Sequence, residues 1–494
     1  MALEEEQLQD VGSSEEVIHR AATGVVALTS RTLFLQIVTF AATLLLTVFL
    51  EPQEYGVFFV VTAVVNFLIY FSDIGLAAAL IQKKEKLEEE DLATTFTIQQ
   101  ILVVPLVVVS LAASSRIAGF YNLSTDGLAL MRALIVAFFL SSLKTIPSIL
   151  LERRLQFNKL IIPQIVENTL FYIIAVYLAW KGSGVASFTA AVLIRGVAGV
   201  IVIYILQPWI PNFAIKRSSA KKLLSFGVPF QANSLLALVK DDLLTAYLGK
   251  VLPLAEVGFI GWAQRWALMP LRFFSDSVIR VTFPAYSRLQ DNKEQLGKAV
   301  EKSLFAIATV VFPSVVGIVS LAPSLTGIIP RYEKWQPALI SLTLFGVNAL
   351  WASLSTTLTN TLNAIGKIKT SLQLMILWTA LTWGLTPLLI GVFGYNGVAL
   401  ASALTATSSV IVVFVVKRLL PISVLPNITA PLISTAIMGT TVYALSPMVN
   451  GSLMRMGVLV LSAVILYASL LLLFAKNKVF QEIGLIIKYL RKKP

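Results

Sequence analysis

Cysteine is absent from the 494 residues, and histidine occurs once, at His19, ahead of the first apolar stretch. Disulfide scaffolds, thiol nucleophiles and cysteine metal sites are thereby excluded. A histidine relay or metal centre within the apolar part has no ligands to build it, so no metal and no cofactor is expected. Charge is scarce as well: 13% of residues are charged against 57% hydrophobic, where soluble domains average about 25% charged. No water-soluble core of this length hides so much apolar surface, so the solvent for most of the chain must be lipid. Residues 1–22 are an acidic tail with Glu4, Glu5, Glu6, Asp10, Glu15 and Glu16, the wrong sign for a secretory leader.

What is present is a series of apolar runs of about 20 residues, each long enough to span a bilayer as a helix. They fall near 24–50, 55–80, 94–114, 128–151, 159–180, 184–206, 223–248, 254–279, 300–321, 337–362, 370–393, 395–416, 427–446 and 453–475. Continuous runs without period-two alternation disfavour a β-barrel. The expected fold is an all-α polytopic membrane protein with about fourteen transmembrane helices.

Lysine and arginine test that map. With the N-terminus inside, 26 of the 39 cations fall in or at the edges of inside connections, 6 outside and 7 within spans. This is the positive-inside distribution. The net charge of +13 is therefore topological, nucleic acid is not implied, and both termini are expected in the cytoplasm. Connections are short. In the C-terminal stretch 476–494, Phe480, Ile483, Ile487 and Leu490 share a face opposite the cations, the pattern of an amphipathic helix on the inner leaflet.

Two segments echo each other. "EYGVFFVVTAVVNFLIYFSD" (54–73) and "EVGFIGWAQRWALMPLRFFSD" (256–276) open on Glu-x-Gly and close on Phe-Ser-Asp. They lie in spans 2 and 8. An offset of six spans predicts a parallel duplication: an N-lobe at 23–207, a basic connection at 208–222, a C-lobe at 223–417, and two added helices at 427–475.

Polar groups inside spans carry the functional expectation, since a charge facing lipid at mid-bilayer costs about 2.5–3.5 kcal/mol or more. In span 8, Arg265, Arg272 and Asp276 fall within about 40° at 100° per residue. Span 1 carries Arg31, Gln36, Thr39 and Thr43; span 2 carries Asn66 and Asp73; span 7 carries Asn233, Lys240, Asp241 and Asp242. Arg31, Arg265, Arg272 and Lys240 are the candidate ligands for an anionic group, because guanidinium offers phosphate a fixed fork of donors. Gln36, Thr39, Thr43, Asn66 and Asn233 are candidate cavity-lining groups. Asp73, Asp241, Asp242 and Asp276 are candidate ion-coupling carboxylates. The structural alternatives are hydroxyls and amides that bond only to neighbouring helices, an Arg272–Asp276 pair at i, i+4, and a Glu167–Arg195 pair between spans 5 and 6. Pro270, between the two arginines, permits a bend.

The stretches "LEPQEYGVFFVVTAVVNFLIYFSDIGLAAALIQKKE" (50–85), "VKDDLLTAYLG" (239–249), "EVGFIGWAQRWALMPL" (256–271) and "FPAYSRLQDNKEQL" (283–296) resemble the polysaccharide-transporter branch of the multidrug/oligosaccharidyl-lipid/polysaccharide exporter superfamily. The resemblance implies two six-helix lobes around a central cavity lined by spans 1, 2, 7 and 8. It implies a flippase for an undecaprenyl-diphosphate-linked oligosaccharide in a bacterial cytoplasmic membrane, surrounded by membrane lipids and associated with glycosyltransferases and a polysaccharide polymerase. In the related lipid II flippases, arginines of helices 1, 2 and 8 serve the diphosphate. Arg31 and Arg265 occupy comparable helices here, whereas span 2 has Asp73 and no arginine. A multidrug antiporter of the same superfamily is the nearest alternative, and its preference for cationic drugs sits poorly with an Arg-rich cavity. A membrane polymerase or ligase would need longer outside loops. The chain carries no Gly-rich phosphate loop ending in Gly-Lys-Ser/Thr, so nucleotide hydrolysis is not built in.

Overall fold

A computed structural model describes residues 34–70, 75–83, 87–232, 235–449 and 451–491. All regular structure among them is helical. Eleven helices are long and apolar enough to cross a membrane: Pro52–Tyr70, Glu89–Phe120, Thr125–Leu143, Phe157–Trp180, Ala186–Leu206, Lys293–Ile328, Glu333–Ala364, Ile368–Phe393, Asn396–Leu419, Leu425–Val449 and Leu453–Phe480. These correspond to spans 2–6 and 9–14. The other three expected spans are 1, 7 and 8. The described part of span 1 is the apolar helix Phe34–Phe49. Span 7 is described as Arg217–Ala232 and, from Leu235, as a helix that carries a π-turn at Val239–Leu243 and runs on to Val251. Span 8 is one unbroken helix, Leu254–Leu289, whose Gln264, Arg265 and Arg272 dilute its apolar character.

The chain divides into two compact units, 1–258 and 259–494. This division differs from the seam read at 208–222, because the segment 239–251 packs on Pro52–Tyr70 and so joins the first unit. Within the first unit, Glu89–Phe120 packs on Thr125–Leu143, which packs on Ala186–Leu206, which packs on Phe157–Trp180. Within the second, Lys293–Ile328 packs on Leu339–Ala364, which packs on Asn396–Thr407, which packs on Ile368–Phe393. The same neighbour pattern thus recurs six spans later. Leu425–Leu445 attaches to Lys293–Ile328, and the last helix attaches to Leu425–Leu445.

Each unit has its own apolar core. Leu50, Val61, Leu130, Ile135, Ala175 and Phe188 form the centre of the first, and Leu304, Phe312, Leu358 and Val412 that of the second. At the Lys-rich end of the first unit, Asp91 is buried and accepts from Lys83, Ser219 and the backbone N–H of Glu88. Lys216 lies beside Glu90 and Glu88, whose carboxylates hold its ammonium above the usual lysine range. The connection after Ala186–Leu206 is strapped down there, its Ala214 and Lys216 N–H groups donating to Thr97 and Thr94.

The Glu-x-Gly echo acquires a structural meaning. The first five residues of Leu254–Leu289 belong to the first unit and cross the start of Pro52–Tyr70. A Cβ added to Gly56 would press into the carbonyl of Leu254 and stand 2.9 Å from the Gly258 nitrogen. One added to Gly258 would press into the carbonyl of Pro52 and stand 3.2 Å from the Gly56 nitrogen. In each case the carbonyl lies four residues before the opposite glycine, so the crossing is reciprocal. Small residues permit such backbone approach between membrane helices.

Candidate functional site

In the first unit the residues singled out in spans 2 and 7 come together. The π-turn Val239–Leu243 inserts a residue into the helical ladder, a device that re-aims side chains and recurs at functional sites. It is closed by Thr245, whose hydroxyl donates to the Asp241 carbonyl at 2.8 Å. The turn projects Lys240, Asp241 and Asp242 from one short stretch. Asn66, exposed on Pro52–Tyr70, donates through Nδ2 to Asp242 Oδ1 at 3.2 Å. Lys240 Nζ lies 3.8 Å from Asp241 Oδ1. An anion approaching Lys240 therefore competes with Asp241, which at 67% side-chain exposure is free to swing away.

On the described part of span 1, Gln36 and Thr39 are half-buried and Thr43 and Thr47 are buried. Thr47 donates to the carbonyls of Thr43 and Leu44, both at 2.9 Å. These two bonds stay within the helix rather than reaching a neighbouring one. Arg31, Asp73 and Asn233 lie outside the described residues.

In the second unit, the helix Leu254–Leu289 is fixed by aromatic packing. Trp262 stacks on Trp335 with ring centroids 5.4 Å apart and donates through Nε1 to the Tyr332 hydroxyl at 3.1 Å. Trp262 and Trp266 are buried, which sets the rotation of the helix. Arg265 is then half-buried and Arg272 exposed. Among the described residues, Arg272 has no hydrogen-bond or ion-pair partner. The helix continues through Pro270 without a break. The side chain of Asp276 is outside the described ones, as is any pair it makes with Arg272.

Three further intramembrane charges, Lys144, Glu167 and Arg195, are accounted for by one another. Glu167, 8% exposed, receives Lys144 Nζ at Oε1 (2.7 Å) and lies 3.7 Å from Arg195 Nε at Oε2. Arg195 also stands over the Phe171 ring at 5.8 Å. A Cβ on Gly199 would collide with the Glu167 carboxylate. The expected Glu167–Arg195 pair is therefore present, with Lys144 as a third member that spacing along the chain did not suggest. Its signal was the charge itself, since the neighbouring span 128–151 holds only two cations, Arg132 and Lys144.

Comparisons with known proteins agree with this architecture. Residues 45–340, more than half of the chain, match the family described as polysaccharide biosynthesis protein. The teichuronic acid biosynthesis protein TuaB of Bacillus subtilis is 24% identical over 56% of this chain and 57% of its own. The succinoglycan biosynthesis transport protein ExoT of Rhizobium meliloti is 23% identical over 55% of each chain, and the lipopolysaccharide biosynthesis protein WzxC of Escherichia coli 22% over 67% of each. The chain thus spans between about half and two thirds of the length of these relatives. Among solved structures, the lipid II flippase MurJ in an inward closed conformation superposes with a TM-score of 0.76 at 16% identity, over 92% of this chain and 100% of that one. An inward-facing multidrug transporter of the MATE family gives 0.59 at 18%, over 80% and 97%. At these identities the likeness is one of fold.

Proposed function

The chain belongs to the polysaccharide biosynthesis protein family, and from that membership we propose that it is a transporter rather than an enzyme, moving a polyprenyl-diphosphate-linked oligosaccharide between leaflets by alternating access. The single observation that carries this reading is where the polar groups lie: spans 2, 7 and 8 hold Asn66, Lys240, Asp241, Asp242, Arg265 and Arg272, and Asn66 meets Asp242 at 3.2 Å across two of them. A helix that borders an aqueous path can keep arginine, aspartate and lysine; one that borders lipid cannot. The names of TuaB, ExoT and WzxC, all tied to surface polysaccharides, support the substrate class.

In this mechanism Arg265 and Arg272 take the diphosphate, with Lys240 as an auxiliary cation and Arg31 and Asn233 as further contacts. Arginine suits that role because it is charged at any working pH and binds phosphate oxygens in pairs. The sugar crosses in the polar path while the prenyl tail stays in lipid. Asp242, held by Asn66, is the leading candidate for ion coupling, with Asp73, Asp241 and Asp276 as the others. The protein sits in a bacterial cytoplasmic membrane with both termini inside, as the cation asymmetry supports, and works beside glycosyltransferases and a polymerase.

The test is the lipid-linked oligosaccharide pool in cells carrying Arg265→Ala at matched protein level. Accumulation of undecaprenyl-diphosphate glycans on the cytoplasmic face, with loss of surface polymer, is expected. Normal polymer with altered drug efflux would transfer the chain to the multidrug class.

A further inference from the structure

Among the described residues of the first unit, the intramembrane cation Arg132 has serines, and no carboxylate, for partners. Arg132, exposed on Thr125–Leu143, donates through Nε to Ser114 Oγ and through NH2 to Ser115 Oγ, both at 3.1 Å. Ser114 is fully buried and its own hydroxyl donates to the Leu111 carbonyl at 2.7 Å, so its lone pair is aimed at the guanidinium. The other described intramembrane cations of this unit, Lys144, Arg195 and Lys240, each have an acidic neighbour. Two serines fix the plane of Arg132 and leave three of its five donors for something else.

The level of this arginine is set by its neighbour helix. Glu89–Phe120 has 32 residues, about 48 Å at 1.5 Å per residue, against a hydrocarbon core of about 30 Å. Centred, it overhangs by about 9 Å, or roughly six residues, at each end. Ser114 and Ser115 therefore sit at the hydrocarbon boundary, on the side away from the Lys83–Asp91 cluster. Beyond them Lys250 donates to the Phe120 carbonyl at 3.0 Å and lies 4.2 Å from the centre of its ring, as cations and aromatics do at a membrane interface. Below them runs an exposed apolar stripe at helical spacing: Ile101, Val104, Val108 and Ala112 on one helix, with Val136 one turn beyond Arg132 on the other. A fixed cation at headgroup level above a stripe of exposed aliphatic side chains has the shape of a lipid with its phosphate up and its chain down.

We infer that Arg132, Ser114 and Ser115 form a seat for the phosphodiester of a phospholipid in the outer leaflet, separate from the transport path. The charge favours a phosphodiester: one guanidinium balances its single negative charge, whereas a prenyl diphosphate would arrive under-neutralised. The three remaining N–H groups reach the two free phosphate oxygens in the forked geometry that arginine gives phosphate, and the acyl chain covers Val108 and Val136. The inference stands whether or not the chain moves a lipid-linked sugar.

The experiment is lipid retention by the full chain in detergent, read by native mass spectrometry with added phosphatidylglycerol, diacylglycerol of the same chains, or undecaprenyl diphosphate. Arg132→Ala is expected to weaken phosphatidylglycerol binding at least tenfold, with Lys181→Ala unchanged and diacylglycerol not retained. If Arg132→Ala fails to fold, Arg132→Lys and Ser115→Ala carry the test, each with a loss of threefold or more. Equal retention by wild type and the Arg132 variants, or an equal loss in Lys181→Ala, would overturn the seat. Tenfold tighter binding of undecaprenyl diphosphate would reassign it to the substrate.

Discussion

Replacing Gly56 by alanine places a methyl group against the Leu254 carbonyl and 2.9 Å from the Gly258 nitrogen, where carbon contacts are comfortable at about 3.5–4.0 Å. The two helices must separate by about 1 Å or more, and overpacking of this kind typically costs about 1–3 kcal/mol. Alanine also returns about 0.8–1.0 kcal/mol of helix propensity, so the raw change understates the clash. Gly317, helical with open space around its would-be Cβ, supplies the correction: Gly317→Ala should gain what Gly56→Ala gains and lose nothing. The informative quantity is the difference between the two variants, in which the propensity gain cancels, expected at about 1–3 kcal/mol, read as denaturation midpoints of the purified protein in one detergent. Because the crossing is reciprocal, Gly258→Ala should behave alike and the double variant should cost less than the sum, since helices once parted accept the second methyl. Equal midpoints for Gly56→Ala and Gly317→Ala would refute the close crossing, and strict additivity would refute its reciprocity.

Glu167→Gln should destabilise by about 3–5 kcal/mol, because it strands two cations in a low-dielectric site; a thermal-shift loss no larger than that of a surface variant would contradict the triad. At the Lys-rich end, Asp91→Asn should cost far more than Lys216→Ala, since buried Asp91 serves three donors while Lys216 is in an exposed, solvent-screened ion pair; paired chemical-denaturation curves decide the order. Asp242→Asn keeps a partner for Asn66 but removes the charge, so transport driven by an ion gradient should fall at least tenfold with little change in melting; unchanged gradient dependence would move coupling to Asp241 or another carboxylate.

The eleven apolar helices were legible because each is a continuous run with short polar punctuation, and the cation asymmetry ordered them. The π-turn in span 7 was not legible: Val239–Leu243 contains no glycine or proline, and the turn packs on Pro52–Tyr70, far away in sequence. Asp241 and Asp242 stood out as charges in an apolar run, yet which of them meets Asn66 depends on that extra residue in the turn. The echo at Glu54–Gly56 and Glu256–Gly258 was visible as text, while its cause, two backbones touching, required both helices in space. Arg132 does not stand out in the sequence, because the serines that orient it lie on another helix.

The duplicated halves keep geometry while changing chemistry, and that marks out structural charges. Gly184-Val185-Ala186 and Gly397-Val398-Ala399 open the last helix of each six-span set, and Arg195 and Ser408 each lie eleven residues after the glycine. In the first set, Arg195 ties that helix to Phe157–Trp180 through Glu167. In the second, Ser408 accepts from Trp378 Nε1 at 3.1 Å and ties the same pair of neighbours, with Trp378 on Ile368–Phe393. A neutral hydrogen bond thus stands where the first half has an ionic cluster, with the packing pattern preserved. A contact that can be rebuilt from tryptophan and serine needs no charge for its task, which is to hold two helices together. The Lys144–Glu167–Arg195 cluster is therefore a tie.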